Sequence, residues 1–151
     1  MYKRQITYSG VNGNTCLSSP TRGIIAGGRT PGTKFTDIES ITISSKGNGI
    51  QFGELGSAIS ERAGASNGVR GVFMGGEAFN GSDTLSKCDY ITISSSGNAL
   101  TFGDLNVESR ICAGVSDRQR AVKIGGKNGS VDPHNVMDYI CLLYTSDAAD
   151  E

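Results

Sequence analysis

Arg22-Gly23-Ile24-Ile25-Ala26-Gly27-Gly28 returns as Arg70-Gly71-Val72-Phe73-Met74-Gly75-Gly76 and, more loosely, as Arg120-Ala121-Val122-Lys123-Ile124-Gly125-Gly126, at steps of 48 and 50 residues. Self-similarity at this period marks a repeat architecture, in which one unit cannot bury its apolar faces alone and must stack on its neighbours. Each run is short, apolar and bounded by turn residues, which predicts a central strand buried on both faces. The paired glycines let the backbone turn sharply or pass close to another strand. Lys123 stands where the other copies carry Ile25 and Phe73, and it puts the pairing of the third copy in question.

Working outward, Glu39-Ser40-Ile41-Thr42-Ile43-Ser44-Ser45 matches Asp89-Tyr90-Ile91-Thr92-Ile93-Ser94-Ser95, and a third copy begins at Asp138-Tyr139-Ile140. The Ile-Thr-Ile alternation has period two, so isoleucine faces a core on one side and the polar residues face away. Gly47-Asn48-Gly49 and Gly97-Asn98 form the following turn, and the chain returns through Phe52-Gly53-Glu54-Leu55 or Phe102-Gly103-Asp104-Leu105. With a further strand around Ala63 to Ser66, and its counterpart around Ala113 to Ser116, each repeat holds four short strands. The division that follows places the end of a preceding unit at 6–21, repeats at 22–69 and 70–119, and the start of another at 120–140. The expected class is all-β, about two and a half repeats of a four-stranded antiparallel sheet.

Composition supports strands. Glycine is abundant at 22 residues with only 3 prolines and no periodic triplet, which excludes collagen and Pro-rich linkers. Helix formers never gather with apolar residues at helical spacing. A formal charge of −1, with Lys and Arg scattered singly, gives no field to attract a phosphate backbone, so nucleic acid is not an expected partner. No run approaches the roughly 18 apolar residues of a membrane span.

The opening residues 1–5 and the closing residues 141–151 resemble translated sequencing adaptor in opposite orientations. They are set aside from the fold reading, and the chain is expected to continue in both directions, so that further repeats of the same chain are its first expected partners. Without Cys141, the remaining Cys16, Cys88 and Cys112 show no zinc or redox spacing and read as structural thiols.

In this wording the chain resembles the kelch repeat family of β-propeller blades. The resemblance assigns structural roles to Gly27-Gly28, Gly75-Gly76 and Gly125-Gly126, to Tyr90 and Tyr139, to Phe52 and Phe102, and to Arg22, Arg70 and Arg120. Phe stands for the family's usual Trp, and Ser40 replaces the Tyr of the other copies. The fuller wording is similar to degenerate kelch-like repeats of tailed-bacteriophage structural proteins. That implies a partial propeller acting as a non-catalytic structural or binding module on a virion or tail, in attachment or assembly. The alternative is part of a secreted kelch-type enzyme of the galactose-oxidase kind, or of a carbohydrate-binding protein.

Chemistry-bearing residues fit the non-catalytic reading. Glu39, Asp89 and Asp138 are equivalent, as are Glu54 and Asp104. A residue present in every repeat satisfies backbone groups or the repeated Arg, whereas a catalytic group acts once. His134, in the turn-like Asp132-Pro133-His134-Asn135, lacks partners at ligand spacing and reads as a solvated loop residue. Gly125 to Ser130 lacks the Gly-Lys-Ser/Thr ending of a phosphate cradle and reads as a repeat turn. No cofactor or metal is expected. The loops after each Gly-Gly, Arg29 to Asp37, Glu77 to Lys87 and Lys127 to Met137, vary most, and variable loops on a rigid scaffold carry specificity. Arg29, Lys34, Glu77, Phe79, Asn80, Asp83, Lys127, Asn128 and His134 are the candidate ligand-facing residues, for a protein or a surface glycan.

Overall fold

The computed structural model describes residues 5–78, 83–129 and 132–143. Within them the chain is strands and turns, with no helix. The first sheet runs through β1 (Thr15–Ser18) and β2 (Arg22–Ala26), then after the two-residue hairpin β3 (Arg29–Thr30) and β4 (Thr33–Lys34) continues with β5 (Asp37–Thr42) and β6 (Ile50–Glu54). The second holds β7 (Ala63–Ser66), β8 (Arg70–Met74), β9 (Lys87–Thr92) and β10 (Leu100–Asp104). The third holds β11 (Ala113–Ser116), β12 (Arg120–Ile124) and, after the hairpin β13 (Lys127–Asn128) and β14 (Asp132–Pro133), β15 (Met137–Cys141). All pairings are antiparallel between sequential neighbours, and the three sheets do not close on themselves.

The sequence division is out of phase with these sheets by one strand. Ala63–Ser66 pairs with Arg70–Met74 and opens the second sheet, where the repeat boundaries at 69/70 and 119/120 would have made it close the first. The register explains this: Ala63 lies opposite Met74, and the tight turn through Asn67-Gly68 joins them as a hairpin. The first residues of the segment set aside at 141–151 continue the third sheet. Cys141 pairs with Arg120, and Leu142 is 1% exposed in the core.

Two apolar clusters hold the stack. Leu17, Ile24, Ala26, Ile38 and Phe52 of the first sheet meet Phe73, Ile91 and Ile93 of the second. On the other side Ala65, Val72, Met74 and Cys88 meet Ala121, Ile140 and Leu142. Burying one such large side chain stabilises by about 1.5–3 kcal/mol. Among the described residues only β8 is buried at every position, because there only the second sheet has a neighbour on both faces. In the third copy the same strand alternates, and in the first Ile43 is 47% exposed while its equivalent Ile93 is 1%. Among the described residues the expectation of a doubly buried central strand therefore holds for the second sheet, while the core-facing pair holds there and, as Ile140 and Leu142, in the third sheet, and fails in the first, where Ile43 lacks a covering sheet.

The inner strands β1, β7 and β11 run side by side from sheet to sheet. A Cβ on Gly64 would stand 2.7 Å from the Cys16 carbonyl, and one on Gly114 closer still to that of Gly64, so only glycine permits this approach. The repeated serines lace the same strands together: Ser66 Oγ donates to the Ser18 carbonyl, and Ser116 Oγ donates to that of Ser66 at 2.7 Å.

Candidate functional site

Both glycines of every pair have positive φ, from 58° at Gly125 to 114° at Gly76, which L side chains adopt only at a cost. They also form the junction between sheets. The Gly28 and Gly76 N–H groups donate to the carbonyls of Ile59 and Ser109, residues of the chain leading into the next sheet. A Cβ on Gly27 would stand 2.5 Å from Ile59 O, and one on Gly75 would collide with Ser109 O. At Gly125 the nearest atom is His134 O at 3.5 Å. The repeated arginines cover the repeated aromatics: Arg22 lies over Phe52, and Arg70 over Tyr90 and Phe102, which meet edge to face. Arg22 also donates to the Ile93 carbonyl of the next sheet at 2.7 Å. Arg120 and Tyr139, at the same places in the third sheet, are exposed.

The equivalent carboxylates Glu39, Asp89 and Asp138 are buried, and none pairs with the repeated arginines. Glu39 accepts from the Thr7 N–H at 2.9 Å. Asp89 accepts from Arg62 at 2.6 Å, whose other nitrogen donates to the Phe73 and Lys87 carbonyls. Asp138 accepts from Asn106 at 2.8 Å and has the Lys123 ammonium at 3.3 Å. Lys123 thus sits directly opposite Asp138 and is wholly buried, as Phe73 sits opposite Asp89. Its pairing is in register, and the doubt it raised is resolved. Burial alone would raise the Asp138 pKa, but Asn106 and Lys123 together hold it below the usual range.

Lys123 also donates to Ser109 Oγ at 2.8 Å, and Ser109 Oγ lies 2.9 Å from His134 Nε2. His134 is half-buried with its Nδ1 unpartnered, not a solvated loop residue. Pro133 lies in β14, an edge strand where its missing N–H is tolerated, and Lys127–Asn128 is the other strand of that hairpin, not a plain turn. The Lys-Ser-His chain has the residue types of an activated nucleophile. Ser109 and Lys123 are each 0% exposed, so substrate cannot reach them and the chain serves structure.

The first variable loop and the start of the second meet in a charged cleft of about 450 Å³ lined by Asn12, Arg29, Lys34 and Glu77 with the β3–β4 turn. Glu77 is at the centre, 1% exposed, with Arg29 at 3.4 Å, Lys34 at 3.1 Å and Arg110 in contact. Arg29 also pairs with Glu61 at 2.7 Å. Burial opposes its charge, yet Lys34 and Arg110 hold Glu77 ionised with a lowered pKa. Three cations against two carboxylates leave the cluster one positive charge, and Arg29 is its most open member with a side chain 37% exposed. Three backbone bridges support the cleft, Asn12–Arg29, Ser60–Glu77 and Arg110–Lys127. Beside each, a residue holds positive φ: Gly13 at 64°, Glu61 at 60° and Ile111 at 52°. The Glu61 N–H donates to Gly13 O at 2.7 Å and the Ile111 N–H to Glu61 O at 3.0 Å, a ladder that fixes the strained conformation in all three sheets.

Of the candidates, Arg29, Lys34 and Glu77 come together here. Lys127 is half-buried at its bridge, Asp83 is exposed, Asn128 is exposed in β13, and His134 is at Ser109. Phe79 and Asn80 lie outside the described residues. Glu61, Arg62, Ser109 and Arg110 were missed. Aligning Asn12-Gly13-Asn14 with Ser60-Glu61-Arg62 and Arg110-Ile111-Cys112 would have exposed them. The cysteines among the described residues are free thiols, and burial pushes Cys88 up to about 11, in keeping with a structural role. Among the described residues no group of three His, Cys, Asp or Glu could hold a metal.

The stacked sheets superpose on a solved structure, that of YjhT, with a TM-score of 0.74 over 89% of this chain and 43% of that one, at 11% identity. The fold is a partial β-propeller. Its sheets are kelch-like antiparallel blades, and the chain spans less than half the length of YjhT. No protein-family model and no curated protein matches the sequence.

Proposed function

We propose that the chain is a non-catalytic binding module, a run of kelch-type blades whose loop end recognises a protein or a surface glycan. The observation that carries this reading is the charged cleft. Its backbone frame repeats in each blade, while the side chains that frame holds differ: Arg29, Glu77 and Lys127 after the glycines, and Asn12, Ser60 and Arg110 across the bridges. A constant frame with divergent side chains is how a rigid scaffold carries specificity. The surplus positive charge favours a ligand bearing a carboxylate or sulfate, met first by Arg29. The wording of the repeats supports a setting on a tailed-phage virion or tail, in attachment or assembly.

The test is a titration of the chain with acidic and neutral oligosaccharides followed by NMR. Acidic sugars are expected to shift the Arg29, Lys34 and Glu77 amides, and Arg29→Ala to weaken binding about tenfold, roughly 1.4 kcal/mol. Binding that Arg29→Ala leaves unchanged, or no response to any acidic ligand, overturns the assignment.

A further inference from the structure

We infer that Asn67 is a site of spontaneous covalent modification, converted to aspartate and isoaspartate through a cyclic imide closed by the Gly68 nitrogen. An asparagine followed by glycine is open to this reaction because no Cβ shields the attacking nitrogen. The described residues contain four such pairs, Asn12-Gly13, Asn48-Gly49, Asn67-Gly68 and Asn128-Gly129, and the fold treats them differently.

At Asn67 the parts of the reaction are assembled, in the hairpin turn between β7 and β8 that lies inside the stack of blades. Asn67 Oδ1 accepts from the N–H groups of Val69 at 3.0 Å and Arg70 at 2.8 Å, which folds the side chain back along the turn past Gly68. Two donors on that oxygen also stabilise the negative charge it gains when the side-chain carbonyl carbon is attacked. The Gly68 N–H has no acceptor among the described residues, and only Pro20 Cδ, at 3.6 Å, lies near the space a Cβ would fill.

In the other pairs one of these conditions fails. The Gly49 N–H donates to Gln5 O at 3.0 Å and the Gly129 N–H to Thr84 Oγ1 at 2.9 Å, so both nitrogens must first release a partner. At Asn12 a single donor, Arg29 Nε at 3.3 Å, reaches Oδ1, and the Glu61 side chain stands over Gly13, 3.3 Å from the place of a Cβ.

The step balances with water as the only co-reactant. The Gly68 nitrogen loses its proton to solvent base and bonds to Asn67 Cγ; the Cγ–Nδ2 bond breaks and Nδ2 leaves as ammonia, protonated by solvent. Water then opens the imide at Cγ, leaving aspartate in an ordinary backbone, or at the main-chain carbonyl, leaving an isoaspartyl linkage one methylene longer. Aspartate fits this place in a blade: Asp117, its equivalent in the third, accepts the Gln119 and Arg120 N–H groups at 2.7 Å each. What is lost is Nδ2, which donates to the Arg118 carbonyl of the neighbouring turn at 3.3 Å. A carboxylate facing that carbonyl repels it, so the modification loosens the link between the turns of the second and third blades.

Incubation of the folded chain in mildly alkaline buffer at physiological temperature, followed by digestion in acid and peptide mass mapping, tests this. The Asn67 peptide is expected to gain the mass of an amide-to-acid exchange about tenfold faster than the Asn48 and Asn128 peptides, the worth of one hydrogen bond of roughly 1.4 kcal/mol that must first break. It is also expected to run ahead of the Asn12 peptide. In urea the four rates are expected to converge, because the dipeptide is the same in all. Asn67→Ser keeps the turn, as Ser19 does in the first blade by accepting the Thr21 and Arg22 N–H groups, and is expected to end the reaction here while leaving the melting temperature near that of the wild type. Hydrogen exchange in the 117–120 turn is expected to quicken in the modified chain, and unchanged exchange there would overturn the loosening. An Asn67 peptide that converts no faster than the Asn48 and Asn128 peptides in the folded chain, or a ranking that persists in urea, would overturn the site itself.

Discussion

The second and third blades hold the same buried carboxylate and neutralise it from different places. In the second, Arg62 ahead of β7 supplies the cation and Phe73 fills the space opposite Asp89. In the third, the position of Arg62 is Cys112, and the cation comes from Lys123, in the place of Phe73. A buried charge must be paired, but the fold does not dictate which neighbour pairs it. The repeat conserves the requirement and lets the donor move.

The largest test of this comparison is Lys123→Phe, which makes the third blade resemble the second while removing the counter-charge of Asp138. Leaving a buried charge unpaired is expected to cost about 3–5 kcal/mol, read by urea unfolding. Adding Cys112→Arg should recover more than half of that. If the double variant is no more stable than the single one, the two blades do not share an interchangeable pair.

Next comes the glycine seat, covered in the second blade and open in the third. Gly75→Ala drives a methyl into the Ser109 carbonyl as well as straining φ, and about 3 kcal/mol should be lost. Gly125→Ala meets no such obstacle among the described residues and should cost only about 1–2 kcal/mol of backbone strain. Equal losses would mean that the carbonyl contact contributes nothing.

The pH dependence is smaller. Asp138 has a folded-state pKa below its ordinary value, so the unfolded chain binds the proton more readily. Its contribution is present above the unfolded pKa and is lost as pH falls through the lowered folded one. Melting temperature should therefore decline on acidification through and below the usual Asp range, and Asp138→Asn, although less stable at neutral pH, should show a shallower decline. Smallest is Ser116→Ala, which removes two exposed hydrogen bonds between the second and third blades, from Ser116 Oγ to the Ser66 carbonyl and from the Ser66 N–H to Ser116 Oγ. About 0.5–1.5 kcal/mol is expected by the same unfolding measurement.

Much of the fold was legible because it is local. The period of the Arg-to-Gly-Gly runs, the Ile-Thr-Ile alternation and the glycine turns placed the strands, since side-chain alternation and turn geometry depend on adjacent residues. The phase of the blades was not legible. Ala63 to Ser66 is equally consistent with closing one unit or opening the next until its pairing with Arg70–Met74 is known. The site was half legible: loop divergence marked Arg29, Lys34 and Glu77, while Glu61 and Arg110 stood in unmarked positions, and the left-handed Glu61 and Ile111 lacked the glycine that signals such a backbone.

By itself, then, the sequence determined the strand pattern and the need for neighbours, because both follow from which residues alternate and which can turn. Burial and charge pairing were decided only in the tertiary structure. Ile43 and Ile93 carry the same wording and opposite exposures, and Lys123 reads as an error until Asp138 lies opposite it. Those properties belong to contacts between sheets some fifty residues apart, and no local pattern encodes which neighbour will be there.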